Sequence, residues 1–484
     1  MSTMTLPVAP VVMTEPIGSV AADTICPAAT VGRRRVLMIC QAFPPTGGPG
    51  VQRNAKFAKY LSRFGWEPVV WSADPVDQLP RDDSLTADLP DDLCHSTRPA
   101  WSYTATHRQL MRALSALGVA RLLGKRRWDG LDWRALRFLH GLSSRMVPDD
   151  QLAWVLRSAV PLLNVARRED VDCVFSTYSP ASNHLLGLLV QRVTGLPWVA
   201  DFRDLWTDDY CYGKQNAVRQ WIERRIERTV LRCADAVVGV TPSQTRILAE
   251  HVPDQAKKCV CISNGVDADD FEPVNRDRAR SVTHGPEDRF VLTFAGWFLS
   301  DRVNEGLVDG LGHFVRWLRG QPGHFEFRVV GAISDAMVRR FRESGAEVSV
   351  TGYVPHDDAI RQMTGADVLL LPVPAGSNAG SLMPGKTFEY LASGRPILLV
   401  GPADGEAQRL VKRCRAGICV ESEPDEVCAT LSDLWRRWRC ARLPQGCDPE
   451  LLKPFTREHL AGRLAELLEG VRRSHGAIKG ASDR

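Results

Sequence analysis

Three short stretches of this 484-residue chain carry side chains able to do chemistry. The first, GSLMPGKTFEYLASGRP at 380–396, starts on a glycine, continues as a helix-like segment and stops at Gly-Arg-Pro. Lys386 and Glu389 stand three apart in it, which on a helix places both on one face. As a solvent-exposed ion pair they would contribute only about 0.2–0.5 kcal/mol and would need no ligand. The second, PPTGGPGVQR, holds Gly47, Gly48 and Gly50 ahead of Arg53. Its glycines allow a tight turn, and the helix that follows presents its N-terminus to an anion. The spacing is not GxGxxG, so a dinucleotide fingerprint is excluded. The third, ADFRDLW, follows an apolar run, and this places Asp201, Arg203 and Asp204 at a strand end. His184, in SPASNHLLG, is a further polar group, either for substrate or satisfied within its helix.

These residues need elements to hold them. VLMIC, the glycine loop and the periodic VQRNAKFAKYLSRFG read as strand, loop and helix, the opening of a Rossmann-like unit. EPVVWSA, VDCVFST, PWVADF, ADAVVGVT and KKCVCIS continue the strands, with helices between several of them. A polar stretch, NRDRARSVTHGPED, then separates this set from a second one beginning RFVLTFAG. The reading is α/β: two Rossmann-like domains facing each other across a cleft, where ligands bind beyond the carboxyl ends of the strands. The expected boundaries are a disordered tail at 1–32, a first domain at 33–275, a second at 286–452 and a C-terminal helix and tail at 453–484. Within the first domain, 98–148 reads as a basic helical insertion with Leu110, Leu114 and Leu117 at helical spacing. Such a helix either lies on an anionic membrane or packs as a solvated insertion.

Composition narrows the classes. With 44% hydrophobic and 24% charged residues the chain is of ordinary globular type, and a net charge of +4 gives no case for nucleic acid. Thirteen scattered cysteines without a CxxC read as free thiols in a reducing compartment. The N-terminus lacks a signal-peptide pattern, and no apolar run reaches the roughly 18 residues of a membrane span. A cytoplasmic protein is expected, with possible peripheral contact at the inner face of the cell membrane.

Read together and in order, PPTGGPGVQR, ADFRDLW, SNGVD at 263–267 and PGKTFEYLASGRPIL resemble the signature set of family 4-type (group 1) glycosyltransferases of the GT-B fold, from about Arg33 to Leu467. The resemblance implies an acceptor site in the first domain and a sugar-nucleotide site in the second. It implies that Glu389 holds the ribose hydroxyls, that the amides of Gly380, Ser381 and Leu382 approach the diphosphate, and that Lys386 neutralises it. From FAGWFLSDR it takes Gly296 and Arg302 as further donor-side groups. Two positions depart from the family pattern: Ser381 stands where many members have a second carboxylate, and Trp297 where an arginine is usual. The implied reaction is retaining, independent of metal and of any cofactor. It moves a sugar from a nucleotide donor to a glycan or polyprenyl-linked acceptor, as in cell-surface polysaccharide assembly. His184, Asp201, Arg203 and Asp204 are the candidate catalytic residues, and Gly47, Gly48 and Arg53 the candidate acceptor or phosphate loop. A non-catalytic sugar-nucleotide-binding protein and a sugar-nucleotide epimerase are the rival readings.

Overall fold

The computed structural model describes residues 34–75, 81–119, 122, 125–209, 212, 215–271, 288–298, 305–374 and 379–482. The expected tail, nearly all of the expected linker and Arg302 lie outside the described residues.

Seven parallel strands form the first sheet: β1 Arg34–Ile39, β2 Trp66–Ala73, β3 Cys94–Arg98, β4 Cys173–Tyr178, β5 Trp198–Phe202, β6 Ala236–Gly239 and β7 Cys259–Cys261. Their order is β3-β2-β1-β4-β5-β6-β7. Six more form the second: β8 Arg289–Phe298, β9 His324–Ile333, β10 Glu347–Val350, β11 Val368–Pro372, β12 Ile397–Val400 and β13 Gly417–Val420, in the order β10-β9-β8-β11-β12-β13. The inner strands are buried on both faces, as helices cover both sides of a parallel sheet, and this is why VLMI and VLLL read as continuous apolar runs. The direction of strand order reverses between β1 and β4 and again between β8 and β11. At such switch points the loops beyond the strand ends diverge and leave room for ligand.

Among the described residues, the helices of eight residues or more in the first half are α1 Pro49–Tyr60, α2 Tyr103–Ala116, α3 Lys125–Ser143, α4 Leu152–Arg168, α5 Ser182–Thr194, α6 Ala217–Cys233 and α7 Pro242–Glu250. The second half adds α8 Glu305–Leu318, α9 Asp335–Glu343, α10 His356–Thr364, α11 Lys386–Ser393, α12 Glu406–Arg413, α13 Pro424–Arg439 and α14 Arg457–Ser482. The basic stretch is a helical hairpin, α2 and α3, inserted after the edge strand β3.

Three features differ from the sequence reading. β3, CHSTR, buries only Cys94 and has no apolar alternation; it exists because β2 offers an open edge to pair with. The C-terminal segment HGAIKGASDR, expected to fray, stays helical to Ser482, and His475 anchors it by a ring nitrogen on the Gly195 carbonyl at 2.9 Å. Among the described residues ten cysteines are free thiols, but Cys94 is disulfide-bonded. Leu460, Leu464 and Leu468 of α14 are buried with Val36, Phe57 and Trp66, so the chain's last helix returns to the first domain. Each such leucine contributes about 1.5–3 kcal/mol by leaving water.

Candidate active site

The donor-side residues stand on α11 and on the loop before it. Tyr390 accepts the Ala295 amide at 2.7 Å on its hydroxyl, fixing α11 against β8, and Gly394 closes the helix in the left-handed conformation. Glu389, one residue earlier, is 7% exposed, and Lys386 pairs with it at 2.7 Å. Burial pushes the Glu389 carboxyl up, but Lys386, His356 and Arg457 together outweigh this and hold it below the ordinary value. An ionised carboxylate this enclosed has strong acceptor capacity: each oxygen offers more than one lone pair, and Lys386 engages only Oε2. Ser381 is buried, and its carbonyl accepts the Thr241 hydroxyl at 3.2 Å, tying the loop of Gly380, Ser381 and Leu382 to the first domain. Gly296, near the end of β8, has φ 133, and beside it the Trp297 side chain is 68% exposed.

In the first domain the structure separates the candidates. Arg53 and Asp201 are interior: the guanidinium meets the carboxylate at 3.2 and 2.8 Å and also donates to the carbonyls of Ile262 and Ser263. Thr177 completes the shell of Asp201 at 2.9 Å. This corrects their expected place in the cleft. Both are 0–1% exposed, and together they lock α1 to β5 and to the SNGVD turn. Arg203 does reach the loop of Gly47 and Gly48: its guanidinium lies against Gly50, where an added Cβ would sit 1.4 Å from Nη1 and would push the guanidinium aside. It donates to the Ser179 carbonyl at 3.3 Å and stands 3.5 Å from Asp204, whose side chain is half-exposed.

His184 is likewise corrected from a cleft group to a core group. It is fully buried, stacked on Tyr178 and packed against Phe202 and the edge-on Trp198, with the Ser176 hydroxyl 2.8 Å from Nδ1. The Trp198 indole donates to that same hydroxyl, and His184 Nε2 has no partner. Burial pulls its pKa down to about 3. The unfolded chain therefore takes up a proton below its ordinary value of about 6.5 while the folded chain does not, and stability falls as pH drops from there towards 3. Between pH 6.5 and 5 this one group is expected to cost about 2 kcal/mol. Thermal melts of wild type and His184→Gln at pH 7.5 and 5 check it, the variant showing the shallower pH dependence.

A group the sequence reading did not assemble joins the two domains. Lys56 bonds Asp88, Asp267 at 2.6 Å and Asp270 at 3.4 Å, and Asp270 meets His356 of α10 at 3.2 Å. Tyr60 donates to Asp267 at 2.7 Å, and burial of that carboxyl is outweighed by Lys56, so its pKa falls to about 2. Arg457, at the start of α14, is 6% exposed with an unpartnered Nη1, and its charge bears on Glu389, Asp267 and Asp270. Nothing local in the sequence marks Arg457, because its partners come from segments far apart in the chain.

Two facing parallel-sheet domains with sites at their carboxyl edges define the GT-B fold. Over residues 51–270 the sequence matches the family model described as Glycosyltransferase Family 4, and over 289–437 the one described as Glycosyl transferases group 1. Together they span more than half of the chain, which belongs to the family 4/group 1 glycosyltransferases and is a nucleotide-sugar glycosyltransferase. No curated protein sequence matches it. A glycosyltransferase from Rickettsia africae ESF-5 superposes with TM-score 0.56 at 14% identity, covering 91% of this chain and 98% of its own. HepE of Anabaena, in complex with UDP and glucose, gives 0.55 at 12% identity, covering 90% and 100%. A Listeria monocytogenes protein assigned as a UDP-N-acetylglucosamine 2-epimerase gives 0.51 at 11% identity, covering 89% and 95%. At these identities the superpositions speak only to the fold, which transferases and epimerases share; the family match separates them.

Proposed function

We propose that the chain is a retaining, metal-independent hexosyltransferase that moves a sugar from a nucleotide donor to a glycan or lipid-linked acceptor in cell-surface polysaccharide or glycoconjugate biosynthesis. The observation that carries the reading is Glu389, an ionised carboxylate at the carboxyl edge of the second sheet, enclosed by cations from three elements. A vicinal diol is its natural partner, and a ribose supplies one. Lys386 and the amides of Gly380, Ser381 and Leu382 face the diphosphate, Gly296 leaves room at the end of β8, and Arg302 adds charge. This arrangement stabilises the departing nucleotide, which is what such a transfer asks of the protein. Arg203, Asp204 and the Gly47–Gly48 loop face the acceptor, while Arg53, Asp201 and His184 hold the first domain in shape. Metal independence is supported by two ammonium groups that already occupy the cluster of Asp88, Asp267 and Asp270: Lys56 bonds all three carboxylates, and Lys59 bonds Asp88 and Asp267 at 3.0 Å each.

UDP, present in the Anabaena complex, is the first donor nucleotide to test. In a thermal-shift series with UDP, GDP and ADP, one nucleotide is expected to raise Tm progressively with concentration, with or without a chelator. Absence of any shift across all three overturns the reading. Retention is read from the anomeric configuration of the product by NMR.

The α2–α3 hairpin supports peripheral contact with an anionic membrane. Leu117 is 76% exposed, Phe138 70% and Trp133 56%, interleaved with exposed Arg108, Arg112, Arg134 and Arg137. Apolar side chains flanked by arginines suit an acidic lipid surface. Among the described residues no helix is long and apolar enough to cross a membrane. Sedimentation with phosphatidylglycerol vesicles is expected to fall strongly in Leu117→Glu/Phe138→Glu, and equal partitioning removes the membrane contact.

A further inference from the structure

A pocket of 310 Å³ opens at the carboxyl ends of β4 and β5, beside the switch point of the first sheet. Its walls are aromatic: Tyr178, Trp206 and Tyr212 line it, with Asp204 and Asp209 among the polar lining groups. The aromatic walls are held in place from behind. Tyr178 stacks on Trp206 with centroids 5.7 Å apart and planes at 18°, and on Phe202 at 6.2 Å. The Trp206 indole and the Tyr212 hydroxyl both donate to Glu223, at 3.1 and 2.7 Å. Glu223 is 2% exposed and is gripped by Arg219, which also donates to the carbonyls of Ser144 and Pro148 at the foot of the α2–α3 hairpin. Rings fixed before a ligand arrives lose little freedom on binding it.

The charge of the pocket narrows its occupant. Asp204 and Asp209 line it, and Glu223 stands behind the rings. A phosphate or diphosphate would be repelled. A pyranose ring suits both features, its C–H face covering an aromatic ring and its hydroxyls donating to carboxylates, and the volume admits one such ring. Arg203 lies at the opposite flank, between Asp204 and Gly50. We propose that this pocket is the acceptor subsite and takes the terminal pyranose ring of the acceptor, with Asp204 and Asp209 reading its hydroxyls and Tyr178, Trp206 and Tyr212 forming its walls. The proposal rests on the transfer reading above and adds the substrate class at the acceptor side. It also accounts for the half-exposed Asp204, which neither the donor site nor the interior lock of Arg53 and Asp201 employs.

Saturation-transfer NMR on the full chain tests it, with the methyl α-pyranosides of glucose, galactose and mannose as probes and UDP, GDP and ADP as donor-site probes. At least one pyranoside is expected to show saturated ring protons. That binding weakens about tenfold, the equivalent of one hydrogen bond to a charged group, in Asp204→Asn/Asp209→Asn and again in Tyr212→Ala. Nucleotide binding stays at the wild-type value in both variants, and so does the melting temperature of Asp204→Asn/Asp209→Asn, whereas Tyr212→Ala also loses the hydrogen bond to the buried Glu223 and melts lower. The proposal is overturned if no pyranoside is saturated, if the signal is the same in the variants, or if inorganic diphosphate displaces the sugar. Failure of all three nucleotides to bind counts separately against the transfer reading, because the pyranoside result reports on the pocket alone.

Discussion

Glu389→Gln is expected to weaken nucleotide binding by roughly 10- to 150-fold, the range for losing hydrogen bonds to a charged acceptor. The amide keeps the shape of the side chain but removes one acceptor and the charge that Lys386, His356 and Arg457 are arranged around. Lys386 then faces an uncharged group, and part of the loss is the cost of leaving its ammonium uncompensated. Lys386→Ala is expected to act differently. It removes the 2.7 Å partner of Glu389, but its main effect falls on kcat, by about 100-fold, because charge accumulates on the diphosphate only as the sugar departs. The pH profile follows from the direction of the shift. The carboxyl of Glu389 is held below its ordinary value, so nucleotide binding is flat through neutral pH and is lost only as pH falls below the usual carboxylate range. Isothermal titration of UDP against wild type and both variants, with initial rates for Lys386→Ala, checks the split. Wild-type binding in Glu389→Gln reduces the pair to an ion pair of structural weight only.

How much of this was legible beforehand depends on the reach of the interactions. The buried strands VLMI, VFST and VLLL announce themselves by composition, since a parallel strand covered on both faces has to be apolar throughout. Lys386 and Glu389 are also legible, as their pairing is a matter of helix pitch. β3 is not, because CHSTR becomes a strand through the edge that β2 presents rather than through its own residues. His184 reads as a polar residue at the start of a helix; nothing local says that Ser176, Trp198 and Phe202 close over it. Arg53 and Asp201 lie 148 positions apart, and Arg457 is further still from the Asp267 it acts on. Charged residues in a motif suggest a ligand, yet a buried partner of opposite sign satisfies them equally well, and only the fold decides between the two.

Asp201 is where the two readings predict opposite results. With its guanidinium 1% exposed, Arg53 has one carboxylate against its charge, and Asp201→Ala leaves that charge buried and unpaired. The expected cost is about 3–5 kcal/mol, seen as a large drop in the denaturation midpoint of the first domain. The Ile262 and Ser263 carbonyls still accept from the guanidinium, but neither carries a compensating charge. Replacing both partners, as Arg53→Met/Asp201→Leu, removes the desolvated charges together and is expected to recover most of the loss, so the two sites are strongly non-additive. A catalytic aspartate behaves otherwise: its change to asparagine would leave folding intact and abolish turnover. The lock predicts instead that Asp201→Asn lowers the denaturation midpoint markedly, while the fraction that remains folded at low temperature retains kcat within about one order of magnitude, short of the roughly 100-fold or greater loss that follows removal of a general acid or base. Arg53 also grips the SNGVD turn, whose Val266 exchanges backbone hydrogen bonds with Phe455 and Arg457 where the chain leaves the second domain, so the same variant loosens that crossing point between the domains. Its residual defect is therefore expected in the KM for acceptor, where closure of the cleft matters, ahead of the affinity for nucleotide, which the second domain holds by itself.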